Sequence, residues 1–345
     1  MSEAKKKGAT KPHVIILATS IALVAVMLVA LGLGRFSVPV GETVRIIVDQ
    51  YLPVSLEQTW TDQMSSVITT VRLPRILGAA LVGAALALSG ATYQGVFKNP
   101  LVSPDLLGVS NGACVGAAFA ILAGLPSLGI QLAALVMGLL TVCLTTTIPR
   151  MFRNKSSLML VLAGVIVSGL MGAILGMAKY AADPEDELAS IVYWTMGSLS
   201  GIRMRDVLIV TPAMLIALAV LLMLRWRVNL LSLGDKEAKA LGVNIRRTRG
   251  LMIVCSTVLT AGAICMCGTI GWVGLVVPHF ARLIIGHDNR FLMPMSAILG
   301  AILLIMVDTI ARNLTGSEIP LSIITGIVGA PLFLWLLMIQ KARID

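Results

Sequence analysis

Apolar stretches about as long as a bilayer is thick recur along almost the whole chain. A helix needs roughly 20 mainly apolar residues to cross the hydrocarbon core, and a helix is favoured there because it satisfies its own backbone groups. The break between the seventh and eighth runs is short and lies around Gly268 to Gly274. The runs predict about ten spans, at 14–34, 73–93, 106–123, 128–148, 157–178, 206–224, 251–270, 272–286, 292–311 and 321–339.

Composition indicates the same class of fold. Of the 345 residues, 57% are hydrophobic and 13% are charged, which leaves too little polar surface to cover a soluble globule of this length. No long hydrophilic segment interrupts the runs, so we expect one domain over residues 1–345. The predicted fold class is an all-α polytopic membrane protein.

The distribution of lysine and arginine predicts the orientation. Basic residues are about twice as frequent in one set of alternate loops as in the other, which places both chain ends in the cytoplasm. Residues 1–13 would then be a cytoplasmic tail, and topology rather than nucleic-acid binding explains the net charge of +10. The run from Val14 to Leu33 is longer than the roughly 7–15 residues of a signal-peptide core, so we expect an uncleaved first helix.

One hairpin of two spans carries polar residues at both of its ends. It runs from Arg72 to Gly116 and starts with two arginines around a proline, RLPR. Its apolar run is interrupted at Lys98-Asn99-Pro100-Leu101 and turns again at Ser103-Pro104-Asp105 before the next apolar run. Two membrane helices therefore meet at a polar turn.

Residues 229–249 form the longest cytoplasmic loop and are strongly patterned. A serine followed by an aspartate suits a helix start, two apolar residues keep one face, a glycine suits a stop and an asparagine caps a second turn. These residues are Ser232, Asp235, Ala238, Leu241, Gly242 and Asn244. Two short helices would make a docking surface for another protein; a solvated loop with incidental helicity is the alternative.

No catalytic or metal site is expected. The chain contains no Gly-Lys dipeptide, so it has no phosphate-binding GxxxxGK[ST] loop, and it has no HExxH pair. Cys265 and Cys267 lie two positions apart on a helix and point in different directions, so packing is favoured over metal binding. If ATP drives this protein, another subunit must hydrolyse it, and no cofactor is expected in the chain itself.

Two ionisable groups lie within apolar spans. His279 follows Pro278, and we expect it to bond to backbone near the proline, with a proton relay as the alternative. Asp308 precedes Arg312 by four residues, which favours an ion pair between them over a proton-coupling role.

Small residues recur every four positions on the third and fifth spans, where they predict close helix packing. A pathway lined by the fifth span is the alternative. The residues are Gly108, Gly112, Gly116, Gly164, Ser168, Gly172 and Gly176.

Five segments together resemble the FecCD/BtuC family, the membrane permeases of ABC importers for iron-siderophore complexes, haem and cobalamin. They are RLPR at 72–75, NPLVSPDLLGVSNGA at 99–113, LGVNIRR at 241–247, GLVVPHFAR at 274–282, and DTIAR with EIPLSIITGIVGAPLFLWLL between 308 and 337. The resemblance covers essentially the full length and implies ten helices with both ends cytoplasmic.

The resemblance also implies roles for particular residues. Arg72, Arg75 and Arg312 match basic residues at the external mouth that receive acidic residues of a substrate-binding protein. Asn99 and Leu101 match a cytoplasmic gate, with Ser156 and Ser157 as its companion. Residues 229–249 match the coupling helices that contact the ATPase subunit, through Ser232, Gly234, Asp235, Ala238, Leu241, Gly242 and Arg246.

The expected function is therefore that of an importer permease in the bacterial cytoplasmic membrane, with no catalytic residue of its own. The expected partners are an ATP-binding cassette subunit, an extracytoplasmic binding protein, a second identical or related permease, and membrane lipid. A ferric siderophore is the leading substrate, with haem or cobalamin as alternatives. A proton-coupled secondary transporter and a non-transporting membrane receptor are the rival classes.

Overall fold

The computed structural model describes residues 12–54, 56–152 and 157–341. Helices make up nearly all of this part of the chain, and it contains no strand. A π-helical segment, Val67–Arg72, leads into α4, and a 3-10 turn, Pro104–Leu107, leads into α5. The α-helices are α1 Pro12–Gly32, α2 Val40–Tyr51, α3 Asp62–Ser66, α4 Leu73–Phe97, α5 Val109–Leu122, α6 Ser127–Met151, α7 Ser157–Ala181, α8 Glu187–Met196, α9 Met204–Leu233, α10 Asp235–Ala240, α11 Ile245–Cys267, α12 Val273–Ile285, α13 Asn289–Asn313 and α14 Leu321–Lys341.

The positions of the ten predicted spans are confirmed as helices, and seven of the ten have the length of a membrane-crossing helix. In the described part of the chain, seven helical segments are long and apolar enough to cross a membrane: α1, α3 to α4 as one segment, α6, α7, α9, α11 and α13. Three shorter apolar helices, α5, α12 and α14, coincide with the remaining predicted spans. The predicted break between α11 and α12 lies at Gly268 and Trp272, whose φ angles are +72° and +70°.

Two further helices, α2 and α8, were missed by the sequence pattern. Both are short, with 12 and 10 residues, and each lies in a connection on the outer side. In α2 apolar residues alternate with Glu42, Arg45 and Asp49, so it does not resemble a spanning run. Its buried face packs Ile46 against Trp60 and Ile68.

The helix α4 lies at the centre of the bundle, with most of its residues buried. It packs against α9, α11, α12 and α13. A methyl group at Gly83 would collide with the carbonyl oxygen of Gly300 on α13, and one at Gly90 would collide with that of Gly274 on α12. The bundle therefore depends on contacts in which backbone touches backbone.

The small-residue prediction holds for the third span and for part of the fifth. Added methyl groups at Gly112 and Gly116 on α5 would collide with α6, and one at Gly164 on α7 would collide with the carbonyl of Leu106. Gly172 and Gly176, further along α7, have no such neighbour within 4 Å. The second half of α7 thus presents small residues that nothing in the described chain covers.

Replacing Gly83 by alanine should destabilise the protein by about 1–3 kcal/mol, because the added methyl must push α4 away from α13. The matched control is Gly250→Ala in α11, a helical glycine with open space around it. Heat unfolding of the purified protein in detergent should show a lower midpoint for Gly83→Ala alone. Equal midpoints in both variants would contradict the role of this backbone contact.

Candidate functional site

The three predicted docking arginines meet at the outer end of α4 in one buried group of charges. This outer cluster consists of Arg72, Arg75, Asp308, Arg312 and Glu318. Arg75 holds Asp308 through Nη2 at 2.8 Å and Glu318 through Nη1 at 2.7 Å. Arg75 is 5% exposed and Asp308 is 1% exposed, so this ion pair is almost fully removed from solvent. It joins α4 to α13 and to the segment before α14.

The other two arginines bind backbone. Arg72 donates through Nη1 to the carbonyls of Leu31 at 2.7 Å and Gly32 at 3.0 Å, at the end of α1. Arg312 donates to the carbonyl of Ala30, and its Nε has no partner among the residues that the structure describes. The arginines therefore point inward in this conformation and hold α1 to the bundle, while their docking role stays a prediction.

The predicted ion pair between Asp308 and Arg312 is wrong. Asp308 pairs with Arg75, which lies 233 positions away in the sequence, and Arg312 reaches across to α1 instead. Spacing of four residues along one helix allows a contact, but a partner from a facing helix competes with it. Here the facing partner binds both carboxylate oxygens, at 2.9 and 3.0 Å from Nε.

The inner loop, Lys98–Ser103, joins α4 to the 3-10 turn at the cytoplasmic end of the hairpin. Lys98 ends α4 in the left-handed region, with φ 52°. Asn99 accepts from the backbone N–H of Leu101 at 2.9 Å, which closes a local turn. The Leu101 side chain is 57% exposed and the neighbouring Val102 is 3% exposed. Both predicted gate residues of this loop therefore lie at a surface, on a turn with a fixed backbone.

The companion gate residues are only partly described. Ser157 is the first residue of α7, and Ser156 lies outside the described residues. Their assignment as a gate stays a prediction.

The coupling segment, residues 229–249, contains one separate short helix, α10. The predicted helix start at Ser232 is wrong, because α9 continues through it and its hydroxyl bonds to the carbonyl of Val228 at 2.9 Å. Gly234, with φ 146°, separates α9 from α10. The predicted stop at Gly242 is confirmed by its φ of +80°. Asn244 is a helix cap as predicted and accepts from Arg247 N–H at 3.1 Å, but the helix that it caps is the spanning helix α11 and not a second short helix.

The surface of α10 is polar with one apolar residue at its end. Ala238 is fully buried against the bundle, whereas Leu241 is 59% exposed and Arg246 is exposed. Asp235 pairs with Arg249 at 2.9 Å, which ties α10 to the first turns of α11. The coupling segment thus contains a short helix that packs against two spanning helices, α9 and α11.

Sequence reasoning overlooked a polar contact beside the inner loop. Gln94, on the last turns of α4, accepts from the guanidinium of Arg282 on α12 and donates to the backbone carbonyl of Val102 at 3.3 Å. The signal was available, because a charged residue within an apolar span is rare and marks a functional position. His279, nearby on α12, donates from Nδ1 to the carbonyl of Leu275 at 2.9 Å, in agreement with the expected backbone bond.

Within the residues that the structure describes, no group of three histidine, cysteine or acidic side chains is placed to hold a metal ion. Cys265 and Cys267 are buried in the main hydrophobic core.

Breaking the ion pair between Arg75 and Asp308 in the outer cluster should lower the free energy of unfolding. Arg75→Met leaves Asp308 buried without its partner, which should cost about 3–5 kcal/mol, whereas Arg75→Met with Asp308→Leu should recover most of the loss. The control is Arg45→Met, which breaks an exposed pair with Glu42 at 3.6 Å and should change little. Heat-unfolding midpoints in detergent give the ranking. A double variant as unstable as Arg75→Met would contradict the pairing.

Comparison with known proteins identifies the architecture. Residues 22–339 match the FecCD transport family. The molybdate import permease MolB of Haemophilus influenzae is 40% identical over 319 residues, covering 92% of this chain and 94% of that protein. The cobalamin import permease BtuC of Halobacterium salinarum is 41% identical over 280 residues, covering 80% of this chain and 74% of that protein. A solved structure described as an inward-facing conformation of an ABC transporter of metal-chelate type superposes with a TM-score of 0.84 at 40% identity, covering 94% of this chain and 98% of that one. The chain belongs to the FecCD transport family.

Proposed function

We propose that this ABC importer permease carries a metal chelate across the bacterial cytoplasmic membrane, driven by a separate ATPase subunit and supplied by an extracytoplasmic binding protein. The observation that carries the proposal is the arrangement of the hairpin around α4. A buried charge cluster lies at its outer end, and an exposed turn lies at its inner end, a membrane thickness away. No catalytic step belongs to the chain, whose task is to open and close a pathway.

We place the ATPase contact on the coupling segment. The helix α10 is short, mostly exposed and tied by the Asp235–Arg249 pair to α11. A rigid helix transmits a push from a partner, while a flexible loop would absorb it. The apolar Leu241 beside the cationic Arg246 suits a cleft with an apolar floor and an acidic rim.

We place a second permease copy on the uncovered face of α7. Leu162, Ile166 and Leu170 are about half exposed or more on this helix, and Gly172 and Gly176 have no neighbour. Lipid would tolerate the leucines equally well, but glycines without a facing helix contribute nothing to packing. Small residues at four-residue spacing favour contact with another helix, and a dimer would supply it.

We place binding-protein docking at the outer cluster. It contains three arginines and two carboxylates, so it carries an excess positive charge, and the Nε of Arg312 lacks a partner. An acidic side chain of a binding protein would balance that charge. Reaching it requires the segment that carries Glu318 to move aside.

A ferric siderophore leads among the substrates, with haem and cobalamin as alternatives. The solved structure of metal-chelate type, at 40% identity over 94% of the chain, favours this class. The relatives named for molybdate and cobalamin import show that the family carries different solutes. An uptake assay that compares substrates must therefore include molybdate.

Proton-coupled transport has less support. Its acidic candidate, Asp308, is 1% exposed and bonded to Arg75 through both oxygens. To carry a proton, the Asp308 carboxylate would have to separate from Arg75, and breaking such a buried pair costs much free energy.

Proteoliposomes that contain the permease, its ATPase and the neighbouring binding protein test the function. Uptake of a labelled ferric siderophore should require ATP on the ATPase side and the binding protein on the other side. Haem, cobalamin and molybdate complete the panel, and preference for one of them would replace the leading substrate. Uptake driven by a pH gradient without ATP would contradict the importer assignment itself.

Leu241→Glu should disrupt the ATPase contact, because it places a carboxylate in the proposed apolar floor. We expect at least a tenfold weaker association of the ATPase subunit in detergent, where about 1.4 kcal/mol corresponds to tenfold. Met151→Glu is the control, since Met151 is also exposed, at 75%, at the inner end of α6. Equal association in both variants would remove α10 from the coupling surface.

A further inference from the structure

The side chain of Gln94 joins three separate elements at the inner end of the bundle. Its Nε2 donates to the carbonyls of Val102 in the inner loop and Leu275 on α12, each at 3.3 Å. Its Oε1 accepts from Nη2 of Arg282. Since a guanidinium only donates, the amide oxygen must face Arg282 and the amide nitrogen must face the carbonyls. With 3% of its surface exposed, Gln94 is shielded from competing water.

Arg282 is in an unfavourable position for stability alone. It lies partly buried in the last turn of α12, forms no salt bridge among the described residues, and its Nη1 is buried without a partner. Its side-chain acceptor is therefore a neutral amide. A cation held this way costs free energy that an apolar side chain would not, so its presence indicates a function.

One helical turn from Gln94, α12 packs closely against both α4 and the 3-10 turn that follows the inner loop. A methyl group at Gly90 on α4 would collide with the Gly274 carbonyl on α12, and one at Gly274 would collide with the ring of Pro104, just after the inner loop. The first contact is between backbones and the second is between a backbone and a stiff proline ring, so neither contains a flexible side chain that could absorb a displacement. If α12 moves, the inner loop must therefore move with it or lose its contact with α12.

The far end of α12 is fastened to the start of the coupling segment. Asn229 donates to Asp288 at 2.7 Å, and its Oδ1 accepts from the N–H of Asn289 at 2.9 Å. The side-chain hydrogen bond from Arg290 leads the causes that lower the pKa of Asp288 to about 2, so its carboxylate stays ionised as an acceptor. The end of α9 and the turn between α12 and α13 thus form one bonded unit.

We infer that Gln94 and Arg282 act as positioning residues, an amide clasp that makes the inner loop move with α12 when the coupling segment is displaced. The displacement enters through Asn229, passes along α12 and reaches the backbone of Val102 through Gln94. The inference rests on the proposed function, because it takes the inner loop as the gate and residues 229–249 as the ATPase contact. It adds residues that join the two.

The test measures gate movement directly in the reconstituted complex. Leu101→Cys serves as the reporter, in a background where the exposed Cys143 is replaced by serine and the other four cysteines remain buried. The rate of labelling by a membrane-impermeant maleimide on the ATPase side is compared with and without ATP. With Gln94 and Arg282 intact, we expect ATP to change the labelling rate about tenfold. A tenfold change corresponds to the free energy of about one hydrogen bond to a charged group.

In Gln94→Leu and in Arg282→Met, the labelling rates with and without ATP should be nearly equal, although ATP is still hydrolysed. Because the two side chains form one contact, the double variant should be no worse than either single variant. Gln94→Glu keeps an acceptor for Arg282 but cannot donate to Val102 or Leu275, so it should also lose the ATP response. If Gln94→Leu does not fold, Gln94→Glu tests the role of Gln94 in its place.

Gln131→Leu is the matched control, since it also removes a glutamine from a membrane helix, at the opposite end of the bundle in α6, and it should leave the ATP response unchanged. A reporter that ignores ATP with Gln94 and Arg282 intact would refute the assignment of the inner loop as the gate, on which the clasp rests, whereas the uptake assay tests the proposed import function itself. A reporter that responds normally in Gln94→Leu, Gln94→Glu and Arg282→Met would overturn the clasp alone.

Discussion

Close contact between backbones around α4 is the constraint on which the rest of the structure depends. In lipid there is little hydrophobic drive to bring two apolar helices together, so packing must come from surfaces that fit. Gly83 against Gly300 and Gly90 against Gly274 bring α13 and α12 to distances that any side chain would prevent. These contacts bring polar groups from different helices within bonding distance at both ends of α4. The outer cluster and the contact between Gln94 and Arg282 therefore depend on glycines that have no chemistry of their own.

Much of the fold could be predicted from the sequence because lipid imposes a length on every spanning helix. The spans follow from runs of apolar residues, and the caps at Asn244 and Gly242 follow from local backbone chemistry. The helices α2 and α8 could not be predicted in the same way, since with 12 and 10 residues they are too short to show the length of a spanning run. Ser232 failed as a helix start because the packing of α9 overrides a weak local capping preference.

The sites were less predictable than the fold, because their contacts join residues far apart in the chain. Asp308 had a plausible partner four residues away, but its actual partner, Arg75, lies on another helix. The pairing of Gln94 with Arg282 spans 188 positions. A single sequence identifies a charge that needs a partner, but which partner it finds is decided by how the helices pack.

The two ends of α4 differ in the kind of acceptor that holds the arginine, and this difference suits the two roles proposed for them. At the outer end Arg75 has two carboxylates, and separating such a pair in a buried site costs about 3–5 kcal/mol, against about 1.5–3 kcal/mol for a hydrogen bond between a cation and a neutral group. At the inner end Arg282 has only the amide oxygen of Gln94, which holds the cation without neutralising it. A carboxylate at position 94 would bind Arg282 more tightly, but it could not donate to the inner loop. A glutamine can hold the helix and the loop at once and can release both at a small cost, as a gate that opens in every transport cycle requires.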